Sequence, residues 1–344
     1  MSHALFRRRG VTALGVVGAA ALLAACSPGS ADSTEGGEST SAEGATSIGA
    51  TQYPLTIDNC GEELEVEQEP ESVLTIGTSA VALLDAAGAS DRIVARAGEF
   101  GAELPAGLTA PPTDAEILDP YDPSIEVIVG AGADIIVGYG LFNAAVEDVE
   151  SAGLANVVID GECSHDAALT EKTDFEAIFD DVSRLAQVFD TQEQAEENLD
   201  GLRSSLEELT AAAGETQEGR NAAVVYYFSA DATMSARGGQ GIADDVLTRA
   251  GFDNVYGEEP SVYLEANIET LLDADPHTLV LAYGLYGESY EEALATFMTE
   301  PGVEDMAAVQ ADRIIGVPAA DLAPDPGAVR GLEAVLEGTG ALNQ

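Results

Sequence analysis

The stretch Thr173-Asp-Phe-Glu-Ala-Ile-Phe-Asp-Asp-Val-Ser-Arg-Leu-Ala-Gln-Val-Phe189 decides the architecture. Phe175, Ile178, Phe179, Val182, Leu185, Ala186 and Phe189 recur at intervals of three and four, which gathers them on one face of an α-helix. Thr173 followed three residues later by Glu176 has the form of a capping box at the helix start. A rod from Asp174 to Phe189 would be about 24 Å long at about 1.5 Å per residue, enough to join two bodies. A second helix is expected from the pair Thr191 and Gln194 to about Ala212, with Ala195, Leu199, Leu202, Leu206 and Leu209 along one side.

The same rhythm runs on both sides of this stretch. Before it, Val73–Ile76 reads as a strand, Ser79–Ala87 as a helix, Asp134–Gly138 as a strand, Ala144–Ala152 as a helix and Asn156–Ile159 as a strand. After it come a strand at Ala222–Phe228, a helix at Ile242–Ala250, a strand at Thr278–Ala282, a helix at Tyr290–Met298 and a strand at Ile314–Val317. Short aliphatic strands alternating with helices imply parallel sheets covered on both faces. The expected fold class is therefore α/β: two doubly wound lobes with central, mostly parallel sheets, connected by a single long interdomain helix. The expected division is a first ligand-binding lobe over 53–172, the helix over 173–190 and a second ligand-binding lobe over 191–344.

The chain upstream of Tyr53 reads differently. Arg7, Arg8 and Arg9 precede an uncharged run of small and aliphatic residues from Val11 to Ala25, too short to span a bilayer but suited to a secretory signal over 1–25. The arginine run also allows the twin-arginine export route. Leu23-Ala-Ala-Cys26 resembles the lipobox of bacterial lipoproteins. That resemblance implies acylation of Cys26, cleavage before it and anchorage to the cell membrane by lipid chains worth about 0.8 kcal/mol per buried methylene. The following residues are rich in Ser, Gly, Thr, Glu and Ala without apolar periodicity, so 26–52 is expected to be a flexible tether.

The chain holds 62 acidic and 13 basic residues, a formal charge of −49. Without the three arginines of the signal the balance is ten against 62, or −52. Such a charge excludes nucleic acid and anionic lipid surfaces as partners. It is tolerated where salt screens it, so a saline habitat and a generally acidic secreted proteome are both consistent with it. Beyond Cys26 only Cys60 and Cys163 remain, and an even pair in an oxidising compartment is expected to form a disulfide. No CxxC spacing supports a redox or metal role.

Several segments, in order, carry a family resemblance. Leu55-Thr-Ile-Asp-Asn-Cys-Gly61 and Pro70-Glu-Ser-Val-Leu74 look like an opening hairpin and first strand. Pro123-Ser-Ile-Glu126 followed by Ala133-Asp-Ile-Ile-Val137 resembles a helix–strand unit in which Ala133 replaces the usual Pro. Asn267-Ile-Glu269 with Asp275-Pro-His-Thr-Leu-Val280 is the matching unit of the second lobe, and Pro301-Gly-Val to Arg313-Ile-Ile-Gly-Val-Pro318 resembles the last strand. In this arrangement the chain is similar to the solute-binding proteins of ABC importers for ferric siderophores, haem and cobalamin. The resemblance implies an extracytoplasmic, non-enzymatic binding protein, expected as a monomer, that hands an iron(III)-siderophore-type chelate to a permease dimer. It implies no resident cofactor and no protein-held metal, iron arriving only within the chelate. It also implies that Glu126 and Glu269, one on each lobe, pair with arginines of the permease.

Ligands of open α/β sheets sit outside the carboxyl ends of the strands. Those ends offer Ser79, with Thr78, Glu99 and Phe100 nearby, and then Tyr121, Tyr139 and Phe142 in the first lobe. The second lobe offers Phe228, Ser229, Arg237, Tyr263, Tyr283, Tyr286 and Asp321. Tyrosines with an occasional arginine suit a large, partly apolar chelate. The scarcity of basic residues favours a hydroxamate or mixed siderophore over a highly anionic tricatecholate. Cobalamin or haem as ligand stays open, although the absence of Trp counts against cobalamin. A secreted hydrolase is the alternative from another class. Gly77-Thr-Ser-Ala-Val81 lies between a strand and a helix but lacks the last Gly of a nucleophile elbow. His165 and His277 are the only candidate bases downstream of the signal.

Overall fold

Val73–Ile76 has every residue buried, as a strand at the centre of a covered parallel sheet must. It is the third strand in a computed structural model that describes residues 49–165, 172–213, 220–227 and 234–343. In chain order the strands and α-helices begin with β1 (Leu55–Asn59), β2 (Glu62–Val66), β3 (Val73–Ile76), α1 (Thr78–Ala86), β4 (Ile93–Ala97), β5 (Glu116–Asp119), α2 (Ile125–Gly130), β6 (Ile135–Gly138), α3 (Val146–Ser151) and β7 (Ala155–Val158). They continue with α4 (Phe175–Phe189), α5 (Gln192–Ala213), β8 (Asn221–Tyr226), β9 (Met234–Arg237), α6 (Ile242–Arg249), β10 (Asp253–Asn254), β11 (Tyr263–Ala266), α7 (Ile268–Ala274), β12 (Thr278–Tyr283), α8 (Tyr290–Phe297), α9 (Ala307–Gln310), β13 (Ile314–Pro318) and α10 (Ala328–Gly338). The expected signal peptide, Cys26, the tether as far as residue 48, and Phe228 with Ser229 lie outside the described residues.

The strands form two sheets and a hairpin. The first sheet has the order β5-β4-β3-β6-β7 with every pairing parallel. The second has the order β11-β9-β8-β12-β13, with β10 also on β8. There β8, β10, β12 and β13 are parallel, while β9 runs antiparallel to β8 and to β11. The α/β expectation of two mostly parallel sheets holds, with one antiparallel excursion. A shared apolar core of α1, α4, α5, α6 and α10 packs on one face of each sheet, and two smaller clusters cover the outer faces.

Helix α4 ties the halves together. Its start is held by the second: Thr173 N donates to Gln240 O (2.8 Å), Phe175 N donates to an Asp245 carboxylate oxygen (3.2 Å), and the Arg249 guanidinium lies 5.1 Å over the Phe175 ring. Its end is held by the first, where Arg184 donates to Asp58 O (2.8 Å) and Val158 O (2.7 Å), and the Tyr53 hydroxyl donates to Val188 O (2.8 Å). Arg184 also pairs with the buried Asp181 (2.6 Å) and with Asp160 (3.1 Å). Burial, with Asp181 alongside, pushes the Asp160 carboxyl up to about 6.

Three local expectations need correction. The cap of α4 is Asp174, whose carboxylate accepts Ala177 N at 2.9 Å; it has the extended backbone an N-cap requires, and Thr173 serves the second half instead. The pair Thr191 and Gln194 forms no capping box, because the Thr191 hydroxyl donates to Ala87 O (2.5 Å) and Gln194 to Asn198 (3.2 Å). The connection is also doubled. Helix α5 turns back along α4, bonding Ala86 O through Asn198 (2.9 Å) near its start and packing on α10 further along. Two antiparallel helices resist bending more than one, which stiffens the link.

Candidate functional site

Between the carboxyl ends of the two sheets lies a cavity of about 790 Å³. The first half contributes the turn Gly77-Thr78-Ser79 after β3, Gly98-Glu99-Phe100 after β4, Tyr139 after β6, and Ile159 to Glu162 after β7. The second contributes Tyr226 of β8, Arg237 of β9, Tyr263 of β11, Tyr283 at the end of β12 and the segment after β13. The volume, and a lining that combines apolar and aromatic groups with carboxylates and one guanidinium, suit a sizeable organic ligand.

Arg237 forms the second wall. It is 7% exposed, and its guanidinium lies 3.5 Å from the Tyr226 ring centroid and 4.6 Å from that of Tyr263. Tyr263 is its cross-strand partner in the β9–β11 register, so the stack follows from the pairing itself. One guanidinium nitrogen donates to the Ser235 hydroxyl at 2.8 Å. The Tyr263 hydroxyl reaches across the cleft and donates to Glu162 at 3.1 Å. Burial, with Glu162 adding to it, pushes that hydroxyl well above the usual tyrosine range.

In the first wall Glu99 is neutralised by pairing. Arg96 and Glu99, both nearly buried, meet at 3.0 and 3.2 Å, and burial raises the Glu99 carboxyl against the lowering effect of Arg96. Tyr139 lies against Gly98 with its hydroxyl buried and without a hydrogen-bond partner among the described residues. Gly77 makes room for it: at φ 90° the position disfavours other residues, and a Cβ there would stand 2.7 Å from the Tyr139 ring. Phe100 packs against Tyr139 (6.3 Å, stacked), Tyr121 (5.9 Å, edge-on) and Tyr286 of the other half (6.2 Å, edge-on), while Tyr139 also meets Phe142 at 5.8 Å. These rings form a collar at the mouth.

The floor belongs to the second half. Asp321 is held by Arg330 at 2.7 Å, and beneath it Asp325 is fully buried. One Asp325 oxygen accepts Gly327 N (2.7 Å), and Ser79 of the first half approaches the carboxylate. Burial pushes this carboxyl up to about 7, against the lowering effects of Gly327 N–H and of Ser79 from the first half.

Of the expected ligand contacts, Ser79, Tyr139, Phe142, Arg237, Tyr263 and Tyr283 line the cavity. Tyr121 and Tyr286 do not; at 61% and 54% exposed they sit in the outer collar, because their strand-end loops turn outward around Phe100. Phe228 lies outside the described residues. Sequence reasoning missed Glu103 to Ala106, Glu162, Tyr226, Glu288 and Glu292. Glu103 to Ala106 stand in an irregular segment and Glu162 in a short 3-10 helix after β7, while the tyrosine ends β8 two residues before the strand end that the sequence predicts. Glu126 and Glu269 are exposed in the first turns of α2 and α7. Its own N–H and Ser124 hold the Glu126 carboxyl below the usual range.

Cys60 and Cys163 form a disulfide that closes the β1–β2 turn onto the segment after β7. His277 bonds Asn221 at the amino end of β12 (2.7 Å), away from the cavity edge. Among the described residues no cluster of three or more His, Cys, Asp or Glu is placed to hold a metal ion, and no helix is long and apolar enough to cross a membrane.

This architecture is matched among known proteins. The profile of the periplasmic binding protein family covers residues 73–320. No curated protein matches significantly. A solved structure of an ABC-type Fe3+-hydroxamate transport system from Saccharomonospora viridis is 26% identical with a TM-score of 0.73, covering 84% of this chain and 100% of that one. The vitamin B12 binding protein BtuF of Vibrio cholerae (17%, TM-score 0.58, 80% and 99% covered) and the haem-binding protein RhuT from Roseiflexus (16%, 0.60, 79% and 98%) share the fold. With two strand-end edges enclosing a cavity and a profile that spans both sheets, the chain belongs to the periplasmic binding protein family, as an extracytoplasmic solute-binding component of the ABC import type.

Proposed function

We propose that the protein captures a ferric hydroxamate-type siderophore in the cavity and delivers it, unchanged, to a two-fold permease. The carrying observation is the composition of the walls: aromatic rings on both sides and Arg237 as the one basic side chain among the described lining residues. Rings supply contact area to the organic arms, and a stacked guanidinium donates to the hydroxamate oxygens around iron. A tricatecholate with several negative charges would find one cation among many carboxylates. The 26% identity to the Fe3+-hydroxamate system supports the same ligand class.

Among the described residues Ser79 and His277 form no hydrolytic pair: Ser79 faces the acidic floor around Asp325, whereas His277 stands at the amino end of β12, a strand about 20 Å long at about 3.3 Å per residue whose other end meets the cavity. Iron enters this scheme only within the chelate. The Leu23-Ala-Ala-Cys26 segment supports export and lipid anchorage, and Glu126 and Glu269, exposed on separate halves, would engage one permease subunit each.

The test is a titration of intrinsic tyrosine fluorescence with ferric hydroxamates, ferric citrate, haem and cobalamin, each beside its iron-free or metal-free form. Saturable 1:1 quenching by ferric hydroxamates alone is expected. Tight binding of haem or cobalamin instead, or turnover of any compound, would overturn the proposal. Reversing Glu126 and Glu269 to Arg should abolish uptake in cells and leave the titration unchanged.

A further inference from the structure

We infer that the cavity selects chelates bearing a cationic, amine-type group and rejects anionic ones, the cation lying where the loop through residues 98–106 meets the loop through 284–292. This rests on the reading of the cavity as a chelate site and adds the charge of the cargo to it.

Six carboxylates line the cavity, Glu99, Glu103, Glu162, Glu288, Glu292 and Asp321, against the single guanidinium of Arg237. Two are answered from outside the cavity, Glu99 by Arg96 (3.0 Å) and Asp321 by Arg330 (2.7 Å). Glu162 and Arg237 address the same Tyr263, one at its hydroxyl and the other on its ring, so their charges offset locally. That leaves Glu103 and Glu288 on the two loops that meet at one end of the cleft, and Glu292 in the first turn of α8, which follows the second loop directly. The loops touch closely: a Cβ at Gly287 would stand 3.1 Å from Gly101 O.

The charges at this end are held in place. Glu288 accepts Gly284 N (2.6 Å) and Tyr286 N (3.0 Å), and Glu292 accepts Ser289 N (2.9 Å) and the Ser289 hydroxyl (3.0 Å). The Ser289 bonds hold the Glu292 carboxyl below its ordinary range, so it stays ionised. Each Glu288 oxygen keeps a further lone pair for an ammonium donor, and both Ser289 bonds fall on one Glu292 oxygen, so its other oxygen can accept such a donor too. Phe100 and Tyr286 meet edge-on in the same seam, and aromatic faces attract cations while offering nothing to anions.

The cavity is thus polarised along its length, with a donor at Arg237 for chelate oxygens and an acidic, aromatic seam at the two-loop end for a positive tail. An anionic arm placed in that seam would meet three like charges, Glu288 half-buried and Glu103 and Glu292 exposed, a repulsion that salt screens. The formal charge of −49 over the chain biases encounter in the same direction.

The experiment uses one linear trihydroxamate, loaded with iron, in three forms: with a free primary amine, with that amine acetylated, and with it succinylated. The metal core is the same and the tail is positive, neutral or negative. Calorimetric titration should rank them amine, acetyl, succinyl, with about tenfold in affinity per step at about 0.05 M salt and a gap that shrinks towards about 1 M. Glu103→Gln, at an exposed loop position, should narrow the amine-to-acetyl ratio about threefold, and Glu103→Lys should narrow it further. Equal affinity for all three, or a preference for the succinyl form, would overturn the inference and leave the chelate site standing. Binding of none of them would overturn the chelate reading itself.

Discussion

The two sheets are built on one plan and depart from it in one place. Around β3 every neighbour is parallel, and the strand ends deliver rings and an ion pair that is internally satisfied, Arg96 with Glu99. Around β8 the antiparallel β9 intervenes, and its last residue is Arg237, facing Tyr263 of β11 across the ladder. The excursion places a cation in the cleft, stacked on two rings, with no carboxylate at salt-bridge distance among the described residues of its own wall. One half thus offers aromatic rings beside carboxylates and the other a hydrogen-bond donor. Repetition builds the container, and the departure from it supplies recognition.

The largest effect expected concerns stability and falls on the first half alone. Replacing Cys60 and Cys163 by Ser opens a loop with a sequence separation of 103 residues. Chemical unfolding should show a loss of about 2–5 kcal/mol, and hydrogen exchange should locate it in β1, β2 and β7. A uniform loss over both halves would show that they do not differ in this respect.

Next is the asymmetry in recognition. Arg237→Ala should weaken ferric hydroxamate binding by about a hundredfold, as loss of a buried arginine anchor does, while Tyr139→Ala should cost about tenfold. Calorimetry on both variants checks it. Equal or reversed effects would break the division of labour between the walls.

A subtler effect concerns the floor where the halves meet. The Asp325 carboxyl is raised to about 7 from its ordinary value near 3.8. The folded state therefore holds a proton that the unfolded state has released between about pH 4 and 7, so stability falls as pH rises through that window and the cost is fully present above it. Asp325→Asn should raise the melting temperature at about pH 8 and change it least at about pH 4. Lower stability of the variant at both pH values would contradict the assignment.

Much of this plan was legible in the sequence. Strands such as Val73–Ile76 and Thr278–Tyr283 are runs of aliphatic residues buried on both faces, and such runs announce themselves. Strands β9 and β11 did not, because Met234-Ser-Ala-Arg237 and Tyr263-Leu-Glu-Ala266 lack β-branched residues and are held by their ladder rather than by local preference. The amphipathic face of α4 was plain, but its cap shifted from Thr173 to Asp174, since tertiary contact with Gln240 outweighed the local pattern. In the site, residues at strand ends could be nominated by position. Glu103, Glu288 and Glu292 could not, because only the meeting of two distant loops gives their charges a common target.

The most direct measurement is the anomalous scattering of iron in crystals grown with a ferric trihydroxamate. A single iron peak between Tyr139 and Arg237, with organic arms against the aromatic collar, is the result expected. Iron confined to the acidic outer surface, with the cleft between the sheets holding no chelate, would contradict the account.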